Sequence, residues 1–118
     1  MNFMREFEER PWGTYEVLLN TENCKVKRII VNPNEQLSVQ YHNKRSELWK
    51  IISGKGQILI GNDWIEAKPG VVVEIPQGAI HSVKAIDESL IFIEIQTGTY
   101  FGEDDIVRLK DKYNRKTK

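Results

Sequence analysis

A single cysteine, Cys24, in 118 residues can close no internal disulfide and build no thiolate metal cage, which suits a reducing compartment. An excess of one charge is also lacking. Lys plus Arg and Asp plus Glu each total 17, for a formal net charge of +0, so no overall field draws the protein to nucleic acid or to an anionic membrane. Any anion has to be held locally. No stretch approaches the roughly 18 consecutive apolar residues of a membrane span, and Met1 to Arg10 lacks the apolar run of a secretory signal. A cytoplasmic protein with neither membrane nor nucleic acid as partner is expected. The length is short of a second catalytic module, so one domain is expected over 1–118. Hydrophobic residues at 40% and charged residues at 29% exclude disordered and collagen-like classes.

What is present is a series of short apolar or alternating runs from Tyr15 to Ile95, each closed by turn residues. The period-2 pattern predicts strands over 15–19, 25–31, 37–42, 47–53, 57–60, 64–67, 71–75, 81–86 and 90–96. Pro33-Asn34, Gly54-Lys55-Gly56, Gly61-Asn62-Asp63, Pro69-Gly70 and Pro76-Gln77-Gly78 punctuate them, with residues that accept positive φ or preset it. So many short strands in so short a chain predict an all-β sandwich or closed barrel. Glu103 to Lys112 changes character: acidic first, basic later, with Ile106, Val107 and Leu109 between. That order predicts a short C-terminal helix. Residues 1–9 read as an N-terminal arm and 116–118 as a frayed end.

Chemistry concentrates at four positions. Gln40 and His42 share one face of a strand, and Glu47 opens the next. His81, the other of two histidines in the chain, follows the Pro76-Gln77-Gly78 turn. A lone His or Gln at a strand end is most often a surface hydrogen-bonding group. Two imidazoles, a carboxylate and an amide oxygen converging inside a barrel instead make a mixed N/O site for one divalent ion, zinc ahead of Mn, Co, Ni or Mg.

The spacings resemble those of the cupins. The pattern G-x5-HxH-x4-E-x6-G falls on Asn34, Gln40, His42, Glu47 and Gly54, with Asn34 and Gln40 as replacements. The second pattern, G-x5-PxG-x2-H-x3-N, falls on Gly70, Pro76, Gly78 and His81, with Ala85 last. Arg10-Pro11-Trp12-Gly13-Thr14-Tyr15, the run Leu37 to His42, and Gln96 to Arg108 are similar to runs of a narrower group. That group is the isomerase domain of type II phosphomannose isomerases, usually fused behind a mannose-1-phosphate guanylyltransferase. The resemblance spans Arg10 to Arg115 and implies a cupin-type double-stranded β-helix, a jelly-roll barrel, standing without the guanylyltransferase. Lys44 and Leu48 replace histidines that the family commonly carries beside the site, and Ser82 replaces a basic residue.

The resemblance further implies a metal-dependent aldose–ketose isomerase interconverting mannose 6-phosphate and fructose 6-phosphate. Such a reaction moves a proton between C2 and C1, stabilises the enediolate and anchors the phosphate. Glu94 shares a strand face with Gln96, opposite Ile91, Ile93 and Ile95, and is the general-base candidate. Arg115 joins it in the catalytic set. Arg45, Arg108 and Arg115 are candidates for phosphate, since guanidinium groups make forked contacts, and Trp49 and Gln96 for the sugar. A homodimer is expected, because related cupins pair through sheet edges. Two other readings stay open: a sugar- or sugar-phosphate-binding cupin without catalysis, and a metal cupin of another chemistry, such as an epimerase, lyase or dioxygenase.

Overall fold

The computed structural model describes residues 6–110. Eleven strands run in chain order: β1 (Phe7–Arg10), β2 (Gly13–Asn20), β3 (Cys24–Val31), β4 (Val39–His42), β5 (Arg45–Ser53), β6 (Gly56–Ile60), β7 (Asp63–Ala67), β8 (Val72–Ile75), β9 (His81–Ala85), β10 (Leu90–Gly98) and β11 (Ile106–Lys110). They form two antiparallel sheets, ordered β1-β2-β3-β10-β5-β8 and β11-β4-β9-β6-β7. All nine strands expected from the alternation are present, most within two residues of the expected bounds. Part of the expected arm is a strand as well: β1 pairs with β2 from Phe7 opposite Glu16 to Arg10 opposite Gly13.

The core lies between the sheets and is built by one parity of each strand. Tyr15 and Val17 from β2, Ile29 and Val31 from β3, and Trp49 and Ile51 from β5 all point into it. β10 sits at the centre of the larger sheet, paired with β3 on one side and β5 on the other. Its even positions Leu90, Phe92, Glu94 and Gln96 are buried, while Ile91, Ile93 and Ile95 are only partly covered on the opposite face. Apolar side chains fill one end of the interior and polar ones the other, and that polar end is where the candidate ligands gather.

The expected helix at Glu103–Lys112 is not formed. Glu103–Asp105 make one 3-10 turn, and Ile106–Lys110 continue as β11 along the edge of β4, with Ile106 opposite His42. The open edge of β4 offers unpaired backbone groups, and ladder hydrogen bonds there outweigh the weak helical preference of a segment rich in β-branched residues. The acidic start has a different task from capping a helix: Asp105 accepts the backbone N–H groups of Asn43 and Lys44 at 3.2 and 2.9 Å, which ties the β4–β5 turn in place. The expected frayed end, 116–118, lies outside the described residues.

Two backbone positions explain motif residues. Asn34 stands where the first pattern asks for glycine and adopts φ 61°, the left-handed region that Asn enters more readily than other side chains. Gly78 takes φ 80° and donates its N–H to the His42 carbonyl at 2.7 Å. The turn before His81 is thereby joined to the strand that carries His42.

Candidate metal centre and barrel mouth

Three side chains converge as expected. His42 ends β4, Glu47 lies in β5 and His81 opens β9; all are buried, and each offers a donor atom within 4.8 Å of the others. His42 Nδ1 is 3.5 Å from one Glu47 oxygen and His81 Nε2 is 3.9 Å from the other. Gln40 stands opposite His81 in the β4–β9 pairing. Its Oε1 accepts the Ser38 hydroxyl at 3.0 Å, and its side chain lines the mouth of the barrel.

The hydrogen bonding around His81 shows that a cation fits. Its Nδ1 lies 2.9 Å from the Ala79 carbonyl, which can only accept, so Nδ1 carries a proton and Nε2 is the nitrogen turned toward Glu47. That nitrogen is buried and has no hydrogen-bond partner among the described residues. A divalent ion between that nitrogen and the Glu47 carboxylate would partner both, and an imidazole anchored through its other nitrogen is the arrangement metal-ligating histidines adopt. His42 is oriented differently: Arg45 Nη2 lies 2.9 Å from its Nε2. A metal that takes His42 as well has to share or displace that contact.

Electrostatics separate the two buried carboxyls. Burial alone raises both. Glu47 is nevertheless held below the usual carboxylate range, chiefly by the Arg45 guanidinium, whose Nε donates to it at 2.9 Å. Trp49 Nε1 donates to its other oxygen at 2.9 Å. Glu94 is pushed the other way, by burial first and then by the negative charge of Glu47. The proton affinities of the two carboxyls are therefore driven apart, the divergence that marks acid–base pairs. His42 is lowered to about 3 by burial, by Arg45 and by His81, so it stays neutral and able to ligate a metal.

Each of the other expected residues has a definite place. Glu94 lines the mouth, and Gln96, fully buried, donates to it at 2.5 Å. Trp49 differs from the expectation of a sugar-facing ring: it is 1% exposed, packed on Phe92, and meets the site edge-on at His81 and through its N–H to Glu47. Gln96 likewise reaches Glu94 rather than the open mouth. Arg45 lines the mouth, but its guanidinium is held by Glu47 and His42. Arg108 lines it from β11, and Arg115 lies outside the described residues. Lys44 is exposed, and Leu48 is on the outer face of β5, so neither substitution touches the site. Ser82 is buried, donating to the Leu37 carbonyl at 2.7 Å.

Sequence reasoning missed Arg10, Tyr15, Lys27 and Glu103, which complete the mouth. Lys27 was accessible to it. It shares parity with Ile29 and Val31 on β3, and a lysine in that register has to point inward.

Comparison with known proteins brings the whole chain into one group. The family model described as mannose-6-phosphate isomerase C-terminal matches residues 3–111. A mannose-1-phosphate guanylyltransferase of Klebsiella pneumoniae is 40% identical over 107 residues, 90% of this chain and 23% of that protein. The xanthan biosynthesis protein XanB of Xanthomonas campestris is 39% identical over the same shares. The chain thus spans under a quarter of the length of these curated relatives. Among solved structures, oxalate decarboxylase from Bacillus subtilis superposes with TM-score 0.79 at 18% identity, over 89% of this chain and 30% of that one. A Klebsiella pneumoniae protein with a double-stranded β-helix domain gives 0.70 at 21%, over 82% and 83%. At these identities the structures establish the fold, a cupin-type double-stranded β-helix.

Proposed function

We propose, from the premise that this chain belongs to the mannose-6-phosphate isomerase C-terminal family, that it interconverts mannose 6-phosphate and fructose 6-phosphate. The observation that carries the reading is the buried carboxyl pair: Glu47 held charged and facing two imidazoles, and Glu94, its proton affinity raised, one strand away and open to the mouth. A divalent ion held by His42, Glu47 and His81, with Gln40 alongside, would supply Lewis-acid stabilisation to sugar oxygens. The chain's own residues do the rest. The Glu94 carboxylate takes the proton from C2 and returns it to C1, a role for a carboxyl whose affinity for protons is raised. Gln96 fixes its orientation. Arg45 keeps Glu47 ionised and His42 turned into the site, and Arg108, at the mouth, and Arg115 are the arginine candidates for the phosphate.

The test is coupled detection of fructose 6-phosphate from mannose 6-phosphate, with and without Zn, Mn, Co, Ni or Mg. Product that depends on an added ion supports the isomerase. No product with any of the five removes it, leaving the binding cupin or a metal cupin of another chemistry. Lys44 and Leu48, which replace family histidines, both face away from the site, so these two replacements do not favour a cupin without catalysis. We propose a homodimer as well, through the β8 edge, where Val72 and nearby Ile52 are exposed; sedimentation at twice the 13.8 kDa chain mass checks it. Among the described residues no helix is long and apolar enough to cross a membrane.

A further inference from the structure

The mouth contains a lysine whose situation the reaction above leaves unexplained. Four cationic side chains line it, Arg10, Lys27, Arg45 and Arg108, against two acidic ones, Glu94 and Glu103. Arg45 is held by Glu47 and Arg10 by Glu8, each at 2.9 Å. Lys27 is 4% exposed, and an ammonium withdrawn that far from water is destabilising unless it is closely paired. Its pairing is loose. The one hydrogen bond it makes among the described residues is to Glu103 at 3.4 Å, and its other neighbour is the Tyr15 ring, 4.0 Å below Nζ. An ammonium has three donors, so most of its hydrogen-bonding capacity points into the open mouth.

Glu103 has the opposite character. Its side chain is 40% exposed, it starts the short 3-10 turn, and it also lies 3.9 Å from Arg45 Nη1. A carboxylate that can turn to solvent is therefore shared between two buried cations. Tyr15 Oη accepts Arg10 Nη2 at 3.2 Å beside it, so a phenol and a guanidinium border the same space. Across the sheet Lys27 is directly opposite Glu94 in the β3–β10 register, one cross-strand step from the carboxyl assigned to proton transfer.

We infer that Lys27, flanked by Tyr15 and Arg10, seats the anionic end of the ligand, and that Glu103 is the exchangeable carboxylate occupying that seat until a phosphomonoester replaces it. Naming the anion a phosphomonoester rests on the isomerase reading; the seat itself rests on the buried lysine and its loose, half-exposed partner. A dianion with three acceptor oxygens can satisfy more of the Lys27 donors than one distant carboxylate and can reach Arg10 as well. Glu103 then releases its buried oxygen to water at little cost, because it is already partly solvated.

Opposite signs in two variants test this. Calorimetric titration of the full chain with inorganic phosphate, and separately with mannose 6-phosphate, is expected to give a Kd raised about 10- to 100-fold in Lys27→Met, the loss of a charge-assisted contact. In Glu103→Gln the same Kd is expected to fall by up to about fivefold, because a half-exposed competitor is removed. Undiminished binding in Lys27→Met, or unchanged or weaker binding in Glu103→Gln, overturns the assignment. Should Lys27→Met fail to fold, Glu103→Gln, a change on an exposed turn, decides by its sign. The two readings fail separately. Phosphate affinities that move as stated in a protein yielding no fructose 6-phosphate keep the seat and remove the isomerase; turnover with Glu103→Gln unmoved keeps the isomerase and removes the seat.

Discussion

The inner site and the mouth are built from the same kinds of residue and solve different problems. At the inner site Glu47 receives Arg45 and Trp49 at 2.9 Å each and faces both histidines, with every member buried on strands paired on both sides. At the mouth Lys27 leans on a partner at 3.4 Å that is partly in water, carried by a three-residue turn. Saturated contacts hold geometry, which proton transfer and metal ligation require. Loose contacts keep a charge available for exchange. In this barrel chemistry is assigned to the centre of the sheet and recognition to the segment where the chain leaves it.

The sharpest way to break the comparison is at Glu94. Glu94→Gln is expected to lower kcat by about 10²–10⁴ while metal content and sugar binding persist; steady-state kinetics with elemental analysis reads both. A KM effect alone would move Glu94 from chemistry to binding.

Acid should distinguish the regions next. His42 is held near 3 in the folded protein against an ordinary value of about 6.5. The unfolded chain therefore binds this proton first as pH falls. The stability contributed by neutral His42 is fully present above about 6.5 and is lost progressively as pH drops toward 3, amounting to at most about 5 kcal/mol. Glu47, also lowered, adds to the loss below the ordinary carboxylate range. Chemical denaturation across this window should show the slope, and His42→Gln should flatten it.

Breaking the inner ion pair comes third. Arg45→Met leaves Glu47 buried without its counter-charge and should cost about 3–5 kcal/mol in metal-free protein. Because the methionine also frees His42 Nε2, a divalent ion should restore part of the loss, seen as a larger zinc-induced rise in Tm than in the parent. Fourth, His81→Ala removes a direct ligand and should weaken metal affinity by more than about 100-fold, beyond the range typical of losing a supporting contact. The smallest effect belongs to the outer face: Lys44→His with Leu48→His should change kcat/KM by no more than about twofold, as surface substitutions do.

Much of this was legible in the order of residues alone. Parity placed Gln40 with His42 and Glu94 with Gln96 on shared faces, because the side-chain period of a strand is two; that the Glu94 face lies inward, with Ile91, Ile93 and Ile95 on the other, is decided by the tertiary structure. Turn chemistry located the strand ends, and the spacing of Asn34, Gln40, His42, Glu47 and His81 indicated the fold and the candidate metal centre. Parity and turn chemistry are local properties that require knowing what a residue does within a few positions of itself; the longer spacing, from Asn34 to His81, is legible only through its resemblance to the cupin patterns.

Distance along the chain hid the rest. Ile106–Lys110 became a strand because β4 had an open edge to fill, and nothing within that segment announces the edge. Trp49 turned out to be a core ring with one N–H on Glu47, since inward parity cannot distinguish the apolar end of a barrel from its polar end. The split between Glu47 and Glu94 arises from a guanidinium beside one and a carboxylate beside the other, on strands whose contacting residues are 47 positions apart. Lys27 met Glu103 across 76 positions. Coulomb energy and desolvation depend on separation in space and on what water has been excluded, and the chain acquires both only when the two sheets close.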